Sequence, residues 1–230
     1  MVHIGIIPDG NRRWCKKNNY DVNQLPILWK DYIIKIIKEF AKIDDINKYT
    51  DFENVNELSI YIASIDNTNR NDKTKLILFK LFEELENIIN YPEKFFDKSI
   101  IDAIDRYSKD IKINFIGDIN ILPKEIQKTI NKYKKLLTGN KYIINLAIAY
   151  DYNKDIINEG KYDNLNYNRD QTNIDIVFRS GKEKRLSGFF PTKTIYSELF
   201  FSDKLWLDIE INDIYNVLLE YKERDRRFGK

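Results

Sequence analysis

Apolar residues along this chain recur at two spacings. Near-continuous runs at Ile4–Ile7, Leu58–Ser64, Tyr142–Tyr150 and Ile174–Phe178, with the alternating Ile111, Ile113 and Phe115, predict five β-strands. Between them the spacing lengthens to three and four residues. Leu28 to Ile43, with Ile33, Ile34, Ile36, Ile37, Phe40 and Ala41, and the run from Thr74 with Leu78, Leu81, Phe82, Leu85 and Ile88, predict amphipathic helices. Further helices are predicted from Trp14 to Lys17, Phe95 to Tyr107, Pro123 to about Leu137, Asn153 to Glu159, Thr192 to Phe200 and Asp213 to Glu223. Strands that are apolar on both faces and alternate with helices predict an α/β fold with a central, mostly parallel β-sheet flanked by helices. No Pro/Gly/Ser-rich linker interrupts the pattern, so residues 1–230 read as a single domain.

In parallel sheets ligands sit beyond the carboxyl ends of the strands, so the polar clusters should follow the strands. They do. Asp9-Gly10-Asn11-Arg12-Arg13 follows the first, Ser64 through Arg70 the second, Gly117-Asp118 the third, Asp151 the fourth and Arg179-Ser180-Gly181 the fifth. At the first, Pro8 stops the strand and a helix-compatible run begins. Unpaired N–H groups at a helix start, a glycine that admits close approach and two arginines suit a phosphate. Asp9 is out of character there, because a carboxylate repels phosphate unless a divalent cation lies between them. Residue types alone leave two readings open for Asp9, a Mg²⁺ ligand at a phosphate site or a plain helix cap.

Composition narrows the chemistry. With 38 basic and 36 acidic residues the net charge is +2, so nothing global points to nucleic acid. The single cysteine, Cys15, excludes an internal disulfide and cysteine-rich metal sites, and implies a reducing, cytoplasmic setting. No apolar run reaches the ~18 residues of a membrane span, and no secretory signal fits the start. His3 is the only histidine, which leaves acid/base work to carboxylates, amides, bound phosphate or water.

The second cluster runs from Arg179 to Ser187. Arg179 and Arg185, flanked by Ser180, Gly181 and Ser187, suit a second diphosphate, since guanidinium forks bind phosphate oxygens bidentately; a solvated charge run is the bland alternative. A P-loop is excluded because Glu183 stands where Ser or Thr is needed after Gly181-Lys182, and no GxGxxG occurs. Glu198 sits in an otherwise apolar segment and wants a cation, either the metal or an arginine. A phosphohydrolase with Asp9 as nucleophile would want a second acid where Asn11 stands. The closing Arg224-Asp225-Arg226-Arg227-Phe228-Gly229-Lys230 is a solvated basic end or a flap over a phosphate.

These motifs resemble the cis-prenyltransferases, the undecaprenyl diphosphate synthase family. The matching residues are Asp-Gly-Asn-x-Arg-Trp at 9 to 14, Asn67-x-x-Arg70, the block Asp175 to Ser187, Phe189, Tyr196-x-Glu198-Leu199 and the closing Arg-Arg-Phe-Gly, in the same order from His3 to Gly229. Pro8 and the double arginine look archaeal-type. The resemblance implies a hydrophobic tunnel for a prenyl chain and Mg²⁺-dependent condensation of isopentenyl diphosphate with an allylic prenyl diphosphate, giving a short- to medium-chain cis-polyprenyl diphosphate. Irregular or branched coupling, or a non-catalytic prenyl-diphosphate-binding subunit, is its alternative. It further implies that Asp9 holds Mg²⁺ together with Glu198, that Gly10, Asn11, Arg12 and Arg13, with Trp14, cradle the allylic diphosphate, and that Arg179, Arg185 and Ser187 grip isopentenyl diphosphate. Asn67 matches the residue assigned to proton removal, with Ser64 and Arg70 beside it. Arg227 and Gly229 match a tail that completes a site across a homodimer interface, with Glu198 supplied by the partner or from nearby, and peripheral contact with a membrane is compatible with product release. Departures concentrate on the allylic side. The family's arginine and Gly-His pair are replaced in a stretch carrying Val22, Leu25, Pro26 and Leu28, and its Tyr-Gly-Gly-Arg is Tyr150-Asp151-Tyr152-Asn153 here. Thr68 replaces a loop tryptophan, Ile62 a small residue, and Tyr91 through Ile100 reads as an insertion.

Overall fold

The computed structural model describes residues 1–41, 50–69, 72–158 and 172–225. Six strands, β1 (Val2–Ile7), β2 (Val55–Ser64), β3 (Ile111–Ile116), β4 (Tyr142–Tyr150), β5 (Ile176–Arg179) and β6 (Glu198–Phe201), form one sheet in the order β3-β4-β2-β1-β5-β6. Every pairing is parallel, so the expected mostly parallel sheet is wholly so among the described residues. All strand ends that carry polar clusters therefore face one rim.

Alternate strand residues go to opposite faces. Ile4, Ile6, Ile176 and Phe178 pack with Trp206, Ile209, Val217 and Leu218 on one side. Ile7 and Val177 pack with Tyr150, Phe189 and Phe190 on the other. Gly5 belongs to that second face: a Cβ there would come within 2.6 Å of the Phe189 ring, so the missing side chain is what lets the ring approach the strand so closely. A third cluster joins Ala63, Phe115 and Ile148 to Leu78, Phe82, Ile126 and Ile130.

The helices are α1 (Asn11–Lys17), α2 (Leu25–Ala41), α3 (Ile65–Asn69), α4 (Asp72–Asn90), α5 (Lys98–Ser108), α6 (Lys124–Leu136), α7 (Tyr152–Asn158) and α8 (Ile211–Lys222). Helix α2 begins three residues before the apolar periodicity suggests. Asp21 and Gln24 cap each other's backbone N–H groups just ahead of it, and Pro26 is tolerated in its first turn. The polar stretch that follows β2 coils into α3, where Ser64 Oγ accepts the N–H of Asn67 at 3.1 Å. Helix α5 starts at Lys98, because Pro92–Lys94 forms a separate 3₁₀ turn.

One expected element is wrong. Thr192 to Phe200 is not a helix but turns leading into β6, whose Glu198–Phe201 pair with Ile176–Arg179. Local spacing cannot foresee that β5 leaves an open edge, and hydrogen bonding to that edge outweighs a weak helical preference.

The strands are also not uniformly apolar. Towards their amino ends His3, Glu57, Ser59 and Asn145 are all at most 2 % exposed. His3 Nε2 meets Ser59 Oγ at 2.8 Å and Nδ1 meets Thr172 Oγ1 at 3.0 Å, while Asn145 Nδ2 donates to Glu57 Oε1 at 2.7 Å. Burial pushes the His3 imidazole below its ordinary pKa of 6.5, against the opposing pull of Glu57 and Asp175. The unfolded chain therefore binds more protons than the folded one near pH 6, so stability is complete above pH 6.5 and is lost as pH falls below it. Thermal melts between pH 8 and pH 5 should show a falling Tm that His3→Gln flattens in this window.

Candidate active site

Asp9 lies just past β1, at the edge where Ile7 pairs with Arg179. Its carboxylate does not cap α1: Gly10 occupies the cap position and no side chain caps that helix. Instead Asp9 Oδ1 accepts the Gly10 N–H at 2.6 Å, and Asp9 Oδ2 accepts Arg179 Nη2 at 2.8 Å. Arg13 Nη2 stands 3.5 Å from Oδ1. Gly10 has φ 99°, a conformation that calls for glycine, and a Cβ on it would also crowd the Leu205 side chain at 2.8 Å. Helix α1 has only seven residues, so Arg12 and Arg13 rather than its dipole supply the positive potential here.

The loop after β5 closes over this turn. Arg179 is 4 % exposed; its Nη1 donates to Ser187 Oγ at 2.9 Å and to the Arg185 carbonyl, and its Nε is buried without a partner. Ser180 Oγ and the Trp206 N–H both donate to the Asp9 carbonyl, at 2.8 and 3.0 Å. Gly181, at φ 90°, passes so close that a Cβ would lie 3.0 Å from the Asp9 backbone. Glu183, which sequence reasoning left out of the site, links Arg13 at 3.3 Å to Arg185 at 2.7 Å. Opposite charges brought from distant positions converge here, and no spacing rule could have shown it.

Asp9 and Arg179 open onto one cavity of about 900 Å³. Its polar end is formed by Asp9, Gly10, Asn11, Arg12, Arg13, Ser64, Asn67, Asp151, Arg179, Arg185 and Ser187. Its apolar end lies between α2 and α4, where Leu25, Pro26, Trp29, Ile62, Ile77, Leu78 and Leu81 line it. Beyond Leu81 the space between these helices and α5 is filled by Ile33, Ile37, Leu85, Ile88, Phe96 and Ile100. Tyr61 and Trp29 line the cavity and were not singled out from sequence. The Tyr61 hydroxyl donates to the Ser187 carbonyl at 3.3 Å, and burial pushes its pKa up to about 12, so it stays a neutral donor.

Three expectations are corrected or fall elsewhere. Trp14 is not part of the cavity: its Nε1 donates to Asp208 at 2.7 Å and its ring stacks on Tyr20. Glu198 begins β6 opposite Ile176, three positions below Arg179, which places it at the amino end of β6 and back from the rim that carries Asp9 in this chain. Gly117-Asp118 follows a strand as expected but lies off the cavity, with Asp118 held by Lys154 at 2.7 Å. Arg70, Arg227 and Gly229 lie outside the described residues.

A hard divalent cation accepts oxygen ligands and is commonly held by one or two carboxylates together with substrate phosphates and water. The polar end fits that pattern: Asp9 is the best-placed carboxylate, Asp66 and Asp151 line the same cavity, and no group of three potential ligands occurs among the described residues, so a metal here would rely on substrate oxygens.

A basic rim joined to an apolar groove defines an α/β protein that takes an anionic head and an apolar tail. The chain matches the family described as putative undecaprenyl diphosphate synthase over residues 7–229, and it belongs to that family. Among its relatives, the tritrans,polycis-undecaprenyl-diphosphate synthase (geranylgeranyl-diphosphate specific) of Sulfurisphaera tokodaii is 29 % identical over 248 residues, covering 99 % of this chain and 87 % of that protein. The isoprenyl transferase of Rickettsia prowazekii is 29 % identical over 246 residues, covering 100 % and 98 %. In fold, the chain is similar to lavandulyl diphosphate synthase from Lavandula x intermedia, solved with dimethylallyl diphosphate, with a TM-score of 0.72 at 24 % identity over 99 % of this chain and 98 % of that one.

Proposed function

We propose that the protein is a cis-prenyltransferase that condenses isopentenyl diphosphate with an allylic prenyl diphosphate and releases a short- to medium-chain cis-polyprenyl diphosphate. The observation that carries this reading is the single cavity in which the Asp9–Arg179 rim runs into the apolar groove between α2 and α4. In this reading Arg179, Arg185 and Ser187 hold isopentenyl diphosphate, and Gly10, Asn11, Arg12 and Arg13 hold the allylic diphosphate. Asp9 would hold Mg²⁺, which when bound would neutralise the leaving diphosphate, and the apolar groove keeps water from the developing allylic cation. Asn67 lines the cavity near Ser64, and an amide is too weak a base to take the proton unaided, so it orients a water or a diphosphate oxygen that does. Ile62 in the cavity wall and the packed residues beyond Leu81 support a short to medium product.

A homodimer is the assembly this reading favours. Among the described residues β6 is one of the two edge strands of the sheet; it carries the exposed Leu199 and follows the exposed Ile195 and Tyr196. Antiparallel pairing of two such edges lays the start of one β6 against the end of the other, so Glu198 would reach the rim of the partner and act there as the second carboxylate. None of the described helices is long and apolar enough to cross a membrane, and Cys15 is a buried free thiol, which accords with a cytoplasmic setting. Incubation with labelled isopentenyl diphosphate, Mg²⁺ and C10 to C20 allylic primers, followed by chromatography of the product, should give a cis-polyprenyl diphosphate of defined length; no product with any primer refutes the catalytic reading.

A further inference from the structure

Helix α2 carries Trp29 to the wall of the cavity, and its indole joins that helix to the Asp9-Gly10-Asn11 turn by a hydrogen bond. Trp29 Nε1 donates to Asn11 Oδ1 at 3.0 Å, while Asn11 Nδ2 donates to the Pro8 carbonyl at 2.8 Å. An amide side chain has two N–H donors and one oxygen, and these two bonds fix which end faces which neighbour. The remaining N–H of Asn11 is then the only donor its side chain has left for a diphosphate oxygen. Trp29 is itself steadied by Trp206, with ring centroids 5.9 Å apart, and the backbone N–H of Trp206 holds the Asp9 carbonyl at 3.0 Å. The indole, the amide and the metal-side turn thus form one closed circuit.

We infer that Trp29 is a positioning residue for the allylic half of the site: its indole N–H sets the Asn11 amide with an N–H towards the diphosphate, and so governs allylic affinity without touching the isopentenyl half. This rests on the cis-prenyltransferase reading. The asymmetry follows from geometry, since Trp29 is tied to Asn11 whereas Arg179 is tied to Ser187 and to Asp9. It also bears on the apolar stretch Leu25-Pro26, which offers no cation to the allylic diphosphate. With fewer charges available, the orientation of a neutral amide counts for more.

Trp29→Phe keeps an aromatic ring against Trp206 and removes the donor together with part of the ring surface; the double-variant comparison and the isopentenyl KM separate the lost donor from lost packing. Losing one neutral hydrogen bond corresponds to about a five- to tenfold rise in KM for the allylic diphosphate, with KM for isopentenyl diphosphate unchanged and Tm within a few degrees. Asn11→Ala should lose about as much, and Trp29→Phe combined with Asn11→Ala should be no worse than Asn11→Ala alone, because the indole acts only through the amide. Calorimetric titration of an allylic thiolodiphosphate into wild type and Trp29→Phe reads the same difference without turnover. Equal binding in the two, a matching rise in both KM values, or additive losses in the double variant overturns the inference. Wild-type protein that binds the analogue yet makes no product overturns the catalytic reading instead, and the calorimetric comparison still decides the role of Trp29.

Discussion

Asp9→Asn is expected to lower kcat by at least about a hundredfold while leaving the protein folded, because a metal-bound carboxylate supplies several kcal/mol of charge stabilisation when a diphosphate leaves. The choice of asparagine matters. Alanine removes the acceptor for both the Gly10 N–H and Arg179, and Arg179 is 4 % exposed, so its charge would be left without a counter-ion. Breaking a fully buried pair costs about 3–5 kcal/mol, but Asp9 is 32 % exposed and solvent screens part of this, which puts Asp9→Ala nearer 2 kcal/mol. Asparagine keeps one acceptor oxygen for Arg179 but gives up the bond from Gly10 and the counter-charge, which solvent partly screens, at about 1 kcal/mol in all. For a chain of this size that is a fall in Tm of about 2–4 °C, well within reach of a folded-state assay. Isopentenyl diphosphate should still bind to Asp9→Asn, since Arg179 and Ser187 are untouched. Turnover within tenfold of wild type would mean that Asp9 is only a counter-ion for Arg179 and that the metal, if used, is held elsewhere.

That double engagement of Asp9 marks the boundary of what the sequence makes legible. The turn itself is written locally: a short apolar run stopped by Pro8, a glycine forced by positive φ, two arginines. The α/β order is written in the change of period between runs, and so is the placing of polar clusters on one rim. The pairing of Asp9 with Arg179 is not, because it spans 170 positions and depends on β1 and β5 lying side by side. Glu198 shows the same limit in reverse. Its apolar neighbours fit a helix or a strand, and the free edge of β5 decides for the strand, which sets the carboxylate at the amino end of β6, back from the rim. Trp14 falls within the family motif yet serves Asp208, whereas Trp29 lies in the stretch where the motif is lost and lines the cavity. His3, Glu57, Ser59 and Asn145 are single polar residues within apolar runs; their meeting across three strands follows from register alone.

Arg179 and Arg185 look equivalent in the sequence, six residues apart on one loop, yet their replacements by Met should differ sharply. Arg179 is held in advance by Asp9, Ser187 and the Arg185 carbonyl, so it offers its charge without paying to become ordered. Arg185 is 63 % exposed and tethered to Glu183 in solvent, where such a pair is worth little and the side chain must be ordered on binding. Losing one or two charge-assisted bonds, at about 1.5–3 kcal/mol each, lowers kcat/KM for isopentenyl diphosphate by between about 10 and about 10⁴ in Arg179→Met. Arg185→Met should lose about tenfold or less on the same measure. Because Arg179 also ties the 180–188 loop to the Asp9 turn, Ser187→Ala serves as the control: it removes one partner of the guanidinium and keeps the charge, and should fall between the two. Steady-state kinetics with each substrate varied in turn separates grip from scaffolding. If Arg179→Met raised the allylic KM as much as the isopentenyl KM, its main work would be to hold the loop; equal losses at Arg179 and Arg185 would mean that charge alone, rather than its preformed placement, binds the second diphosphate.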